Sequence, residues 1–379
     1  MSVQKVRVGI VGAGANTRAR HFPGFQSIDG VEVTGVCNRT PESTKRVARE
    51  FNIPRQYSDW KDLIAADDVD AVLIGTWPNL HCEITCAALE AGKHVLTEAR
   101  MARNLQEAKQ MLAASEQHPD LIAQVVPSPY GLTCGPLVEQ LIRDRFLGDF
   151  RELVVLGADD IFWDYSIPLH WRQDQEISGL NVLAMGILHE TALRWSPPPV
   201  QVFAQSHIFE PQRPNLQTGE YSDVTVPDSV QILTQLEGGG RGLYHISGIT
   251  LFGPGKQIHL YGSRGTIKIE FEPEERVFVG HHGDSTLKAI EIPEAQRGQW
   301  RVEEEFIGAI RGEEKVVLTD FATGVKYMDF VDGVARSSDQ KQKSSHSPCL
   351  KPRRDFCGHC WGNWCSLKST YSTHPFHSH

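Results

Sequence analysis

Short apolar runs recur along the first 125 residues, and each is followed by a stretch whose apolar positions return at helical spacing. Val6–Val11 is the first run. The next, Val31–Val36, leads into Thr40-Pro41, a capping hydroxyl with proline at the first helical position. Residues 69–75 (VDAVLIG) predict a strand buried on both faces. His81–Ala91 then places Ile84, Ala87, Ala88 and Ala91 on one helical stripe, closed by Gly92. His94–Thr97 reads as a further strand. Asn104 with Glu107 suggests a capping box for a helix ending at His118-Pro119, and Leu121–Val126 is a last apolar strand. Such alternation predicts a doubly wound parallel sheet of the α/β class over residues 1–125, with its ligand at the carboxyl ends of the strands.

The pattern changes after residue 126. A helix over Gly135–Arg145 is followed by strand-like runs at Arg151–Ala158, Gln201–Phe209, Val230–Leu236, Gly242–Ile249, Gln257–Tyr261 and Thr266–Phe271. Ile267, Ile269 and Phe271 alternate with Lys268 and Glu270, the mark of a half-buried strand. Residues 126–336 therefore predict an α+β domain with a large, mostly antiparallel sheet, ending in a helix from Asp320 through Val325, Met328 and Val331. An open sheet needs a cover, which predicts a homodimer or homotetramer through it. From Ser337 the periodicity stops, so residues 337–379 read as a disordered or aberrant tail.

Charge and cysteine usage narrow the class. The net charge of −9 argues against a nucleic-acid partner. Six Lys/Arg against two Asp/Glu give the tail +4, leaving about −13 on the rest. No apolar run reaches the ~18 residues of a membrane span. The five residues before the first strand leave no room for a signal peptide. Cys37, Cys82, Cys86 and Cys134 are scattered without framework spacing, which points to reduced thiols and a cytoplasmic protein. Cys357-Gly358-His359-Cys360 follows no strand and opens no helix, so no redox role is expected there, and the spacing of these cysteines with His359 lacks the two clean pairs of a zinc site.

The candidate chemistry starts at the first strand's end. Gly12-Ala13-Gly14 cuts off the apolar run: Gly12 permits a tight turn, and Gly14 removes a side chain that would block a pyrophosphate. Ala15, Asn16 and Thr17 open the following helix, whose N–H groups face the anion, with Thr17 at the position of a third glycine. This is a Rossmann dinucleotide loop. At the end of the second strand Asn38, Arg39 and Thr40 stand where an NAD-binding domain carries an acid. Asn38 removes the repelling charge and Arg39 offers a cation, which favours NADP(H) over NAD(H).

Four segments, GIVGAGANTRARHFPGF, DAVLIGTWPNLHCEITCAALEAGKHVLTEARMA, WRQDQEISGLNVLAMG and YGSRGTIKIE, together resemble the glucose–fructose oxidoreductase / inositol dehydrogenase / MocA family. The resemblance spans roughly residues 5–336. It implies a Rossmann domain followed by a sheet domain, and hydride transfer between a nicotinamide cofactor and a sugar-like, polyol or keto substrate. By the same resemblance, Thr76, Trp77, Pro78, Asn79 and His81 line the cofactor, with Trp77 where a proline is more usual. Glu98 matches the glutamate of the family's E-K-P motif, but Ala99 and Arg100 replace its lysine and proline. Trp171-Arg172 matches a W-R pair ahead of the substrate helix. There Ala184 and Leu188 stand at the family's aspartate and histidine positions, and His189 comes one residue later, a rotation of about 100°. With the usual groups gone, the catalytic candidates are Arg100, Trp171, Arg172 and His189, with Glu190, Asp164 and Tyr165 as further acid/base candidates. Arg100 is too basic to be a general base and is expected at the nicotinamide end, holding an acidic or carbonyl-bearing substrate. The alternatives are a non-catalytic NAD(P)-binding sensor and a lyase or glycosidase that retains its cofactor.

Overall fold

The computed structural model describes residues 4–343. Strands β1 (Val6–Val11), β2 (Val31–Cys37), β3 (Arg55–Tyr57), β4 (Ala71–Ile74), β5 (His94–Thr97) and β6 (Ala123–Val125) form a parallel sheet in the order β3-β2-β1-β4-β5-β6. Helices α1 (Phe22–Ser27), α2 (Pro41–Glu50), α3 (Trp60–Ile64), α4 (Pro78–Glu90) and α5 (Leu105–Gln117) return the chain between strands. The strand order reverses between β1 and β4, so the crevice opens at their carboxyl ends. Strand β4 is buried throughout because it faces two cores. Ala71 and Leu73 pack on one side with Phe22 and Phe25, Val72 and Ile74 on the other with Ile84 and Leu89. The sequence pattern misses β3 and α3, since a three-residue strand of Arg, Gln and Tyr carries no apolar run.

After α6 (Gly135–Arg143) come β7 (Phe150–Ala158), α7 (Gln175–Ser178), α8 (Met185–Leu193) and β8 (Pro199–His207). Strands β9 (Gln212–Pro214) and β10 (Tyr221–Asp223) form a separate ribbon. Strands β11 (Ser229–Leu236), β12 (Arg241–Ser247), β13 (Gly255–Gly262), β14 (Gly265–Glu270), β15 (Arg276–His281) and β16 (Lys288–Ile290) complete an eight-stranded sheet, ordered β16-β15-β14-β13-β7-β12-β11-β8. It is antiparallel except for the β7–β12 pair. One face packs Leu153, Val155, Ile246 and Leu188 into a core. The opposite face exposes Phe203, Leu233 and Leu243, aligned across β8, β11 and β12.

The last two helices, α9 (Val302–Ile310) and α10 (Phe321–Lys343), turn back to the first sheet. Val302, Phe306 and Ile307 join the core of Val8 and Ile10, while Phe321, Tyr327 and Met328 join that of Val72 and Ile74. Further along α10, Phe330, Val331 and Val334 enter the core of the second sheet. Helix α10 also runs past the end expected at Ser337. Ser337 Oγ accepts a hydrogen bond from Ala204 N at 3.0 Å, and Ser338 Oγ lies 2.6 Å from Ser206 Oγ. The helix thus stays docked on β8 by hydroxyls after its apolar stripe ends, which hydrophobic periodicity cannot report. The remainder of the tail expected to be disordered, with Cys349, Cys357, Cys360 and Cys365, lies outside the described residues. Among the described residues, no helix is long and apolar enough to cross a membrane.

Candidate active site

Gly12 adopts φ +86°, and a Cβ there would lie 2.7 Å from the backbone of Gly75 and Thr76. Glycine is therefore required to lay the β1 turn against the end of β4. Above Gly14 the space is open, the nearest atom to a Cβ being Gly75 O at 3.8 Å. A pyrophosphate fits over a loop of this kind, facing the N–H groups of Gly14, Ala15 and Asn16 at the helix start. Ala13 N donates instead to Asn38 Oδ1 at 2.7 Å, and Asn38 Nδ2 donates to Ser43 Oγ. Asn38 thus braces the glycine turn from β2. Thr17 is buried, and its hydroxyl donates to Gly12 O at 3.3 Å. Expected among the cofactor contacts, Thr17 is instead a brace under the turn, where a glycine would leave that carbonyl bare. Thr40 caps α2 by accepting from Ser43 N.

Arg39 is exposed, with its guanidinium 5.1 Å from the ring centre of Trp77. Trp77 precedes Pro78, the first residue of α4. Asn79 Oδ1 is buried without a hydrogen-bond partner. His81 does not reach the crevice. It is buried, its Nε2 lies 3.0 Å from Thr76 O and its Nδ1 lies 2.9 Å from Arg100 O. The cofactor contact expected of His81 is replaced by a pin holding the ends of β4 and β5 together.

Arg100 emerges two residues after Glu98 and is 6% exposed. Its Cγ packs at the start of α8, beside Gly186, Tyr327 and Val331. Nε is buried without a partner. Burial, followed by the charge of Arg172, pushes its pKa down to about 10, so it remains a cation at neutral pH. Arg172 lies 4.3 Å over the ring of Trp171. Both belong to the short turn Trp171–Gln173, which His170 caps by accepting from Arg172 N while His170 N donates to the Gln173 side chain. A second anchor follows α7. Gly179 takes φ +67° against Arg103, Leu180 N donates to Arg103 O, and Asn181 Nδ2 donates to Ala102 O. The Trp171–Arg172 turn is thereby tied to the segment that carries Arg100. Tyr130, in the loop after β6, is coupled electrostatically to Arg100, Arg172 and Lys256. Burial holds its hydroxyl above the ordinary tyrosine range. No motif marks Tyr130 in the sequence. Its only signal is its place just beyond the carboxyl end of a parallel strand.

Behind Glu98 lies a second group that no motif marks. Glu98 accepts from Asn16 Nδ2 and from His21 Nε2, the latter at 3.0 Å. The other ring nitrogen of His21 meets Glu303 of α9, whose second oxygen accepts from Trp300 Nε1 at 2.8 Å. Burial alone would neutralise His21, but Glu303 and Glu98 outweigh it and raise its pKa to about 9. The imidazolium in turn keeps half-buried Glu98 ionised against its desolvation, holding its pKa below the usual carboxylate range.

The remaining catalytic candidates fall elsewhere. His189 is buried beneath the second sheet, its Nδ1 2.9 Å from Tyr244 Oη and its ring stacked 3.7 Å from Phe330. Burial pushes its pKa down to about 3. It is a core residue, since one residue of helical rotation turns it away from the crevice. Glu190 is likewise spent inside, accepting from Ser128 N, Arg194 and Thr319. Asp164 accepts from the backbone and hydroxyl of Ser166, and Tyr165 is 62% exposed.

Comparison with known proteins agrees with this arrangement. Residues 6–125 match a family model described as an oxidoreductase family with an NAD-binding Rossmann fold, and residues 137–268 match the GFO/IDH/MocA C-terminal domain. A levoglucosan dehydrogenase of Pseudarthrobacter phenanthrenivorans is 30% identical over 189 residues, 48% of this chain and 48% of its own. A scyllo-inositol 2-dehydrogenase (NADP(+)) of Bacillus subtilis is 25% identical over 317 residues, 81% of this chain and 88% of its own. The solved levoglucosan dehydrogenase in complex with NADH and L-sorbose shares the fold. Its TM-score is 0.80 at 22% identity, covering 89% of this chain and 97% of that one. The first curated relatives are matched over 35 to 60% of their own length.

Proposed function

The chain belongs to the glucose–fructose oxidoreductase / inositol dehydrogenase / MocA family, and from that premise we propose that it is an NAD(P)-dependent oxidoreductase, moving hydride between a nicotinamide ring and the carbonyl or alcohol carbon of a sugar-like, polyol or keto substrate. The observation that carries this is the Gly12–Gly14 turn, locked against Gly75 and open above Gly14, at the carboxyl edge of a parallel sheet. When bound, the nicotinamide supplies or takes the hydride. The chain's own residues hold the two reactants and move the proton. Tyr130, within electrostatic reach of Arg100 and protonated at neutral pH, gives its proton to the carbonyl oxygen, while Arg100 polarises that oxygen and offsets the charge left on the phenolate. Reduction is therefore the favoured direction. Arg39, exposed beside Asn38, pairs with a 2′-phosphate and favours NADP(H) over NAD(H). A second copy of the chain covers the exposed face of Leu233 and Leu243.

One observation favours a second reading as a non-catalytic cofactor-binding sensor. Ala99, Ala184 and Leu188 stand where the family carries lysine, aspartate and histidine. Mass analysis of the cofactor released from purified protein, followed by a carbonyl-substrate screen for consumption of reduced cofactor, separates the two. Consumption supports the oxidoreductase. Retention of cofactor without turnover selects the sensor.

A further inference from the structure

Arg100 and Arg172, from opposite parts of the fold, lie close enough for their charges to oppose each other, and among the described residues neither guanidinium is hydrogen-bonded to an acid, while Arg100 Nε is buried without any partner. Arg100, buried without a partner, has lost water and gained nothing in return, and the nearby charge of half-buried Arg172 opposes it as well. The acids nearby do not relieve this. Glu98 is bonded to His21 and Asn16, and Asp159 and Glu272 both hold Lys256, at 3.1 and 3.0 Å. Nor do the arginines owe their places to an ion pair. Arg100 is fixed by its stem beside Gly186, Tyr327 and Val331, and Arg172 by stacking on Trp171. Two planar forks, each fixed by packing, are a preformed seat for a planar anion. The cofactor's phosphates have a different seat, the Gly12–Gly14 turn.

The geometry points to a substrate that carries a carboxylate, a hydroxy acid or keto acid of the sugar-acid type, seated between Arg100 and Arg172 with its reacting carbon beside Tyr130. This rests on the oxidoreductase reading and names the substrate class that a neutral polyol dehydrogenase would not take. The seated anion satisfies both guanidinium groups and offsets their mutual repulsion. A neutral polyol leaves Arg100 buried and unpaired beside the charge of half-buried Arg172, so the site discriminates against it.

The test is a calorimetric titration of full-length protein loaded with NADP+, using glycolate, D-lactate, D-gluconate and D-glucuronate. The neutral counterparts are ethylene glycol, propane-1,2-diol, D-glucitol and D-glucose, and D-glucose 6-phosphate is a further arm. Cofactor binding is read separately by protein fluorescence. At least one acid is expected to bind at least about ten-fold tighter than its neutral counterpart, the range of charge-assisted hydrogen bonds. Arg172→Gln should remove that preference while NADP+ affinity stays within about two-fold, since the phosphates bind elsewhere. Arg100→Gln should do the same where it folds, and half-buried Arg172 keeps the test open if it does not. Acids that bind no tighter than neutral counterparts overturn the carboxylate seat. So does glucose 6-phosphate binding tighter than every acid, or an acid preference that survives Arg172→Gln. Each of these outcomes, obtained with cofactor bound, leaves the oxidoreductase reading standing. Failure to bind either NADP+ or NAD+ overturns both.

Discussion

The indole of Trp77 stacks on that of Trp171, with ring centroids 6.0 Å apart and planes 23° from parallel. Each indole carries an arginine, Arg39 on Trp77 and Arg172 on Trp171, so four side chains form one ladder across the crevice. Its two ends are the groups assigned to the cofactor's ribose and to the substrate. Stacking and cation–π contacts of this kind contribute roughly 0.5–1.5 kcal/mol each. Trp77→Ala is expected to weaken NADPH binding and raise substrate KM together, each by about three- to ten-fold on that scale. Trp77→Phe should recover most of both. A change confined to one ligand would show that the ladder is not a shared support.

Arg39→Ala should weaken NADPH about ten-fold or more and NADH little, because only NADPH offers the phosphate that a charge-assisted pair requires. Fluorescence titration of both cofactors decides it. Equal losses would remove the assignment of Arg39 to the 2′-phosphate.

Tyr130→Phe should lower kcat by roughly 10²–10⁴-fold, the usual contribution of a positioned proton donor. Cofactor affinity should be unchanged. His189→Phe should leave cofactor affinity and turnover near those of the parent where it folds, since His189 lies in the core beside Tyr244 and Phe330. Steady-state kinetics of the two variants test which residue serves the chemistry.

Because the pKa of His21 is raised from 6.5 to about 9, its contacts with Glu303 and Glu98 contribute stability fully below pH 6.5. That stability is lost as the pH rises through about 9, and the shift corresponds to roughly 3 kcal/mol. Urea unfolding at pH 6, 8 and 10 should therefore show a fall that Glu303→Gln largely abolishes. A pH-independent stability in that range would mean the imidazole is neutral when folded.

Truncation after Lys343 should leave thermal stability and cofactor affinity unchanged. Truncation after Arg336 should lower stability by about 1–3 kcal/mol, since it removes the Ser337 and Ser338 bonds to β8. Thermal melts of both proteins check this.

The sequence made the nucleotide-binding half legible because β1, β2, β4 and β5 are apolar runs punctuated by turn residues. What it concealed follows from physics that local patterning does not encode. Strands β3, β9, β10 and β16 are three-residue pairings whose order comes from their neighbours. An apolar stripe on α9 says that the helix is buried but not against which sheet. At the site, Arg100, Trp171 and Arg172 were legible through their motif positions. Resemblance also drew attention to α8, where His189 faces the core, whereas Tyr130 and His21 acquire their surroundings only from segments far along the chain.

The packing of α9 and α10 imposes an order on biogenesis. Val8 and Ile10 leave the ribosome long before the wall they lean on, Val302, Phe306 and Ile307, which lies far along the chain. Tyr327 closes the other side by accepting a hydrogen bond from Met101 N across 226 positions. A nascent chain that ends before α9 and α10 therefore carries a sheet whose helices leave part of each apolar face uncovered. That intermediate is the form most exposed to aggregation or to chaperone capture.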